Sequence, residues 1–311
     1  MRGDAMNVSL FKGKQKMSGE KRNQTIFLFC MLILPILNWL VFWLYINMSS
    51  IKLAFLDART QEFTFNNFIT FWEKLTAENG EIGIAVKNTF LYFGASLVII
   101  MPIALFMSYF IYKKILGYKV YRVIFYLPAI ISGVAMVAVY TNFINPSGPL
   151  ADILEIFGKE MPPEGLLARP ETATTTIIIY CIWTGFSGNL LLFCGAMVRV
   201  PVEVLESAAL EGCSPVRELL QIILPMIWPT VSTQIILLFT GIFNSSGPIL
   251  LFTNGNYETT TISFWIFIQV LGGKASAYNI VSATGLVFTV IGVPIILFIR
   301  WLMEKIPSVE Y

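Results

Sequence analysis

The chain has 311 residues, of which 56% are hydrophobic and only 13% are charged, with a formal net charge of +2. Soluble domains carry about 25% charged residues, so this composition argues against an ordinary soluble domain and predicts that lipid surrounds much of the surface. The sequence contains no histidine, which removes the commonest general base and the commonest metal ligand. We therefore expect neither an enzyme nor a metal-binding protein, and no nucleic-acid partner.

Six apolar runs follow one another along the chain, and each is long enough for an α-helix to cross about 30 Å of hydrocarbon. None of the 21 Lys and Arg or the 19 Asp and Glu residues falls inside these runs. The sequence therefore predicts an all-α polytopic membrane protein with six transmembrane helices. The predicted spans are 26–46, 89–112, 123–144, 174–198, 226–244 and 280–299.

The basic residues predict which segments face the cytoplasm. The segment 113–122 carries four bases and no acid, whereas 47–88 and 145–173 each carry five acids against four and two bases. We therefore expect both termini and the 199–225 loop to be cytoplasmic. A cleaved signal peptide is the alternative for the first run, but that run is longer than a signal-peptide core and lacks a clear cleavage site. The predicted organisation is a cytoplasmic N-terminal segment 1–25, a membrane domain 26–304 and a cytoplasmic tail 305–311.

The 199–225 loop carries four acids against two bases, so attraction to anionic lipid does not explain it. Its pattern predicts two short helices. Gly212 can stop the first one, and Ser214 followed by Pro215 predicts the N-cap and the first turn of the second. Two interpretations stay open at this point, an amphipathic hairpin lying on the membrane surface or a docking element for a partner protein. The second helix has an apolar stripe that comprises Val216, Leu219, Leu220 and Ile223.

The same loop resembles a known motif. Glu206-Ser-Ala-Ala-Leu-Glu211-Gly212, nine residues and then Ile222-x-Leu224-Pro225 is similar to the EAA loop in permeases of binding-protein-dependent ABC importers. That pattern is Glu-Ala-Ala, three residues, Gly, nine residues and Ile-x-Leu-Pro. Ser207, Glu211 and Cys213 are mild departures from the family pattern.

Two further stretches extend the resemblance to sugar-importer permeases of the maltose and lactose type. They are "YLPAIISGVAMVAVYTNFINPSGPL" and "FTNGNYETTT". In the second stretch Asn256 and Tyr257 replace the usual Gly-Pro, which leaves the subunit type open.

The resemblance implies a MetI-like fold, a location in the bacterial cytoplasmic membrane and a role as a permease subunit of an ATP-driven sugar or oligosaccharide importer. The implied partners are a second homologous permease, two cytoplasmic ATPase subunits and an extracellular solute-binding protein. ATP and Mg would be bound by the ATPase subunits, so this chain is expected to bind no cofactor. A Walker-type phosphate loop is indeed missing from the sequence.

The resemblance also implies roles for particular residues of the loop. Glu206 would make the polar contact with the ATPase, and Ala208, Ala209 and Gly212 would allow close backbone approach. The remaining members of the implied coupling site are Glu211, Leu224 and Pro225.

Polar side chains within the predicted spans are candidates for the solute pathway, because amides and aromatic rings hold sugars. Hydrogen bonding between helices is the alternative for each of them. The spans contain no charged residue, which favours a neutral polar solute and argues against a proton relay. An importer for a polyamine or glycerol phosphate, or a secondary transporter acting alone, are the alternative functions. The candidates are Asn142, Asn189, Gln234, Thr240, Phe243 and Asn244, the last two because they end the fifth span before the family-like segment.

Overall fold

The structure of the protein, a computed structural model, describes residues 19–78, 80–244 and 247–307. The predicted N-terminal segment 1–25 lies outside the described residues up to position 18, and the predicted tail 305–311 lies outside them from position 308. Across the described ranges the regular structure is helical, apart from one isolated antiparallel bridge between Leu56 and Phe63. The expected all-α class is confirmed.

The chain divides into two units, Met1–Lys52 and Leu53–Tyr311. In the first unit, helix α1 (Gly19–Asn38) continues through a π-helical stretch (Trp39–Tyr45) into α2 (Ile46–Ala54), which runs on into the start of the second unit. The helices of the second unit are α3 (Asn66–Thr76), α4 (Glu81–Ala95), α5 (Met101–Tyr112), α6 (Tyr118–Ile130), α7 (Gly133–Phe143), α8 (Pro149–Ile156), α9 (Pro170–Met197), α10 (Val202–Leu210), α11 (Pro215–Arg217), α12 (Leu224–Met226), α13 (Trp228–Thr240), α14 (Ile249–Phe252), α15 (Ile262–Leu271) and α16 (Ala275–Glu304).

Four unbroken helical stretches are long and apolar enough to cross a membrane, namely Asn23–Ala54, Glu81–Tyr112, Pro170–Met197 and Ser276–Glu304. They contain the first, second, fourth and sixth predicted spans, apart from the last residue of the fourth. The second helix begins at Glu81 rather than at position 89, so Glu81 and Lys87 belong to its first turns. Together with two bent helix pairs, the described residues provide four to six spans, as expected for a polytopic membrane protein.

The third and fifth predicted spans are not single straight helices. The third is α6 and α7, which meet at 107°, and the fifth begins where Pro215–Met226 meets α13 at 78°. Pro128 lies just before the first break and Pro229 just after the second. Proline lacks the N–H of the helical ladder and its ring clashes with the carbonyl four residues earlier. For Pro229 that carbonyl belongs to Pro225, just before the break at Ile227.

Two π-helical stretches also precede prolines. Ser96–Ile100 joins α4 to α5 shortly before Pro102, and Glu218–Ile223 joins α11 to α12 before Pro225. A π-turn shifts the backbone pairing by one residue, so the helix can continue past a position where proline donates no hydrogen bond. The Glu81–Tyr112 helix is therefore continuous despite Pro102.

The most extensive contact between two described helices joins α5 to α9. Ala104 and Ser108 are fully buried there, and the Ser108 hydroxyl lies 3.1 Å from the carbonyl oxygen of Leu190 and 2.6 Å from that of Ala104. Small residues let helix backbones approach closely in membranes, and a hydroxyl that reaches a neighbouring helix adds a polar contact. The pair supports both the 199–225 loop at one end and a cavity near its middle.

Candidate functional site

The first helix of the 199–225 loop ends in a Schellman motif at Gly212. The Cys213 N–H donates to the Ala208 carbonyl at 3.0 Å and the Gly212 N–H donates to the Ala209 carbonyl at 3.1 Å. Gly212 itself has a φ of +73°, a left-handed conformation that glycine adopts without a steric penalty. The sequence prediction of a helix stop at this glycine is confirmed, and the motif fixes the angle at which the chain leaves α10.

The side chains of α10 divide between a buried and an exposed face. Leu205 and Ala208 are buried, whereas Glu206, Ala209 and Gly212 are exposed. Glu211 of the implied coupling site is exposed too, and Leu224 and Pro225 are half-buried at the end of the loop. Of the small residues expected to allow close approach, Ala208 therefore faces the protein interior, and Ala209 and Gly212 face outward.

The second helical segment, Pro215–Met226, begins where the Ser-Pro pair predicts. Ser214 occupies the N-cap position, as predicted, and its side chain makes no capping hydrogen bond. The predicted apolar stripe is half right, because Leu219 and Ile223 are buried whereas Val216 and Leu220 are exposed. The π-turn shifts the buried face of this segment away from the positions that ordinary helical spacing predicts.

The buried face of the loop belongs to one hydrophobic cluster with the ends of the membrane helices. Leu205, Leu219 and Ile223 pack in the same cluster as Tyr109 of α5 and Phe193 of α9. Ala104, Ala196, Met197 and Val200 are further buried members. The loop is therefore packed onto α5 and α9.

An ion pair adds a polar contact to this packing. The Lys113 Nζ, one residue beyond α5, lies 2.7 Å from the Glu218 Oε1, and only 6% of the Glu218 side chain is exposed. Glu218 is the one charged residue that is buried within the described ranges. A buried carboxylate is costly unless a partner neutralises it, so the loop and the end of α5 are held together at this point. Sequence analysis assigned no role to either residue.

A cavity of about 340 Å³, the central cavity, lies between the membrane helices. Two of the six solute-pathway candidates, Asn189 of α9 and Gln234 of α13, line it. Ser96, Tyr180 and Thr184 add further polar side chains that sequence analysis missed. The remaining lining residues are Ile100, Met101, Cys181, Gly185, Leu237, Leu238 and Pro248. No described residue of the lining is charged, so the cavity offers hydrogen bonds and an aromatic ring to a neutral solute.

The other pathway candidates lie apart from this cavity. Thr240, Phe243 and Asn244 line a separate cavity of about 270 Å³ beside α16. The Phe243 ring lies 4.8 Å from that of Phe288, and a Cβ at Gly292 would lie 3.1 Å from the Phe243 ring. Asn142 is exposed and its amide bonds the Ala138 carbonyl of its own helix at 3.0 Å. Of the six candidates, two therefore line the first cavity, three line the second, and Asn142 lines neither.

The 253–261 loop, which contains the family-like "TNGNYETTT", is tightly folded. Asn254, Tyr257 and Glu258 have φ values between 51° and 55°, and Gly255 has a φ of 80°. Non-glycine residues rarely adopt such conformations without support from their surroundings. Part of that support is internal, since the hydroxyls of Thr253 and Thr259 lie 2.6 Å apart.

The Glu81–Tyr112 helix holds the 253–261 loop from outside. The buried Asn88 amide donates to the carbonyl oxygens of Glu258 at 2.6 Å and Thr260 at 2.9 Å. The Thr89 hydroxyl accepts a bond of 3.0 Å from the Ile262 N–H. These contacts fix the loop against one end of the helix whose other end meets the 199–225 loop.

Known proteins are similar to this chain in sequence and in fold. No model of a protein family matches this chain. The "Probable ABC transporter permease protein MG188" of Mycoplasma genitalium is 30% identical over 267 residues, covering 80% of this chain and 77% of that protein. The multiple sugar-binding transport system permease protein MsmF of Streptococcus mutans is 22% identical, covering 86% of this chain and 92% of that protein.

A chain in the crystal structure of a bacterial alginate ABC transporter, solved in complex with alginate pentasaccharide-bound periplasmic protein, has a similar fold. The TM-score is 0.79 at 26% identity, over 93% of this chain and 99% of that one. The similarity therefore extends over most of both molecules.

Proposed function

This chain belongs to the ABC transporter permeases, and we propose that it is the permease subunit of an ATP-driven sugar or oligosaccharide importer in the bacterial plasma membrane. It is an integral membrane protein that forms one half of a translocation pathway, with a second homologous permease as the other half. Two cytoplasmic ATPase subunits bind and hydrolyse ATP with Mg, and an extracellular solute-binding protein delivers the sugar. This chain is not itself an enzyme.

The observation that carries the proposal is the construction of the 199–225 loop. Its outward face presents Glu206, Ala209 and Gly212, whereas Leu205 and Leu219 anchor it to the membrane helices. A segment of this kind combines a free polar surface for a partner with a rigid connection to the interior. The amphipathic hairpin on lipid is disfavoured, because Leu205, Leu219 and Ile223 pack on α5 and α9 instead of facing a membrane surface.

The central cavity supports a neutral solute. The lining offers hydrogen bonds from Asn189, Gln234, Ser96 and Thr184, and Tyr180 adds an aromatic residue to it. The crystal-structure relative imports alginate, an acidic polysaccharide, and a negatively charged solute would be matched by basic residues on the path. The described lining contains neither basic nor acidic residues. We therefore propose a neutral sugar for this chain, in preference to an anionic glycerol phosphate or a cationic polyamine.

The proposed orientation follows from the basic segment 113–122. With the 113–122 and 199–225 segments in the cytoplasm, the Lys113–Glu218 pair lies at the inner surface and the 253–261 loop at the outer one. The outer loop then faces the solute-binding protein. A secondary transporter acting alone would leave the exposed face of α10 without a role.

The test is co-expression of this chain with a second permease and two ATPase subunits from the same organism. We expect the ATPase subunits to copurify with the wild-type chain and to be lost in Glu206→Arg, because the exposed carboxylate would be replaced by a cation at the joint. Glu203→Arg, an equally exposed acid in the first turn of the same helix, is the matched control and should retain them. Sugar uptake that continues without any ATPase subunit would overturn the proposal.

A further inference from the structure

The Glu81–Tyr112 helix is bonded at two distant points to segments that come much later in the sequence. Lys113, directly after the helix, pairs with Glu218 of the 199–225 loop at 2.7 Å. Near the other end, Asn88 donates to the carbonyl oxygens of Glu258 and Thr260. At 1.5 Å per residue, the two points lie about 38 Å apart along the helix axis.

Each contact has one buried member. The Glu218 side chain is 6% exposed and Asn88 is 3% exposed. Separating a buried carboxylate or a buried amide from its partner leaves an unsatisfied group in a water-poor environment, which is unfavourable. Each contact therefore resists separation, and each segment tends to follow the helix when the helix moves.

The middle of the same helix forms part of the central cavity. Ser96, Ile100 and Met101 line the cavity, and they lie in or directly after the π-turn Ser96–Ile100. A Cβ at Gly185 of α9 would lie only 3.1 Å from the Ile100 Cδ1, so the helix and α9 are in close contact here. A shift of the helix along or about its axis consequently changes the cavity lining.

We propose that Lys113, Glu218 and Asn88 are positioning residues that make the Glu81–Tyr112 helix one mechanical link between the 199–225 loop, the cavity and the 253–261 loop. The inference rests on the proposed function, because it supplies a route by which ATPase movement reaches the cavity and the outer loop. The ion pair transmits displacement at one end of the helix, and the Asn88 amide transmits it at the other.

The experiment uses the assembled importer in lipid vesicles, with activity measured per assembled complex. The stimulation of ATP hydrolysis by the sugar-loaded binding protein is compared in wild type, Glu218→Gln, Lys113→Met and Asn88→Ala. We expect each variant to keep its ATPase subunits and to lose about tenfold of the stimulation, the scale of an ordinary coupling free energy. Lys114→Met removes a neighbouring exposed lysine that has no ion pair in the described structure and should behave as wild type.

Two combinations separate coupling from simple damage to the fold. The exchange Lys113→Glu with Glu218→Lys restores an ion pair with the charges reversed and should recover most of the stimulation. Glu218→Gln combined with Asn88→Ala should be no worse than the more affected single variant, because one broken contact already disconnects the link. Independent local defects would instead multiply.

The outcomes distinguish a failure of the mechanical link from a failure of the proposed function. If wild-type chains bind no ATPase subunits, the proposed function fails. If the wild-type importer is coupled but Glu218→Gln retains full stimulation, or the losses in the double variant multiply, the link is refuted and the proposed function stands.

Discussion

The side-chain amide of Asn279 donates a hydrogen bond of 2.6 Å to the backbone carbonyl of Leu56, 223 residues earlier in the chain. The same amide donates to the Leu53 carbonyl at 3.1 Å, and the Asn67 amide donates to the Leu56 carbonyl at 2.9 Å. The last carbonyls of a helix have no partner within it. Two buried amides from α3 and α16 therefore satisfy the end of α2.

Asn279→Ala is expected to destabilise the protein by about 1–3 kcal/mol, because it removes both hydrogen bonds that a buried amide donates. The measurement is thermal unfolding in detergent, read as a lowered midpoint. Thr289→Ala serves as the control, since the exposed Thr289 hydroxyl bonds only the Gly285 carbonyl of its own helix among the described contacts. Equal midpoints for the two variants would contradict the role assigned to Asn279.

Substitutions at Gly212 should follow the order set by its left-handed backbone. Gly212→Asn is expected to retain ATPase binding, and Gly212→Ala to weaken the loop by about 1–2 kcal/mol, the usual penalty for a Cβ in this region. No atom lies within 4 Å of a Cβ built there, so the penalty is conformational rather than a clash. Gly212→Pro cannot reach a φ of +73° and loses the N–H that bonds Ala209. Copurification of the ATPase subunits ranks the three, and equal binding by the proline variant would refute the coupling role.

The two amides in the central cavity should contribute to sugar recognition. Asn189→Ala and Gln234→Ala are each expected to raise the KM of ATP-driven uptake about tenfold, corresponding to the loss of one hydrogen bond of about 1.4 kcal/mol. Asn142→Ala is the comparison, because its exposed amide bonds its own helix away from this cavity. If the KM rises for Asn142→Ala and not for the cavity variants, the solute pathway does not pass through this cavity.

The stability of the hairpin that follows α2 should depend on pH through the carboxyl group of Asp57. Its carboxylate accepts hydrogen bonds from the backbone N–H groups of Thr60 at 3.0 Å and Arg59 at 2.8 Å, which lower the pKa of Asp57 below its usual value. A carboxyl whose folded pKa is depressed stabilises the fold fully above its unfolded pKa of about 3.9, and this contribution is lost as the pH falls through the lower folded pKa. Hydrogen exchange of the 57–62 amides should accelerate below about pH 4, after correction for the intrinsic pH dependence of exchange. Asp57→Asn should abolish this acid-dependent step.

Much of this architecture follows from local sequence signals. The length of the apolar runs predicts the spans, and Gly212 predicts the end of α10, because both depend on residues that are near one another in the chain. The breaks at Ile131 and Ile227 are not evident from hydropathy, although Pro128 and Pro229 mark them. Hydropathy counts apolar residues and ignores the missing N–H of a proline.

The functional contacts depend on long-range packing and are harder to predict. Asn189 and Gln234 share a cavity only because α9 and α13 meet there, and nothing in their local sequence separates them from Asn142. Glu218 lies in a loop rich in acids, and only the proximity of Lys113, 105 positions earlier, identifies it as the buried one. The π-turn Glu218–Ile223 further shifts the buried face of this segment away from the spacing of an ordinary helix.

The buried Asn88 amide has a consequence for how the chain is made. Its acceptors at positions 258 and 260 are synthesised 170 and 172 residues later, which at 5–20 residues per second is a delay on the order of ten to thirty seconds. During this interval the amide enters the membrane region with neither carbonyl available to it. We therefore expect the nascent Glu81–Tyr112 helix to stay beside the insertion machinery, or in contact with water, until the last third of the protein has emerged. The contact between this helix and the 253–261 loop is thus completed late.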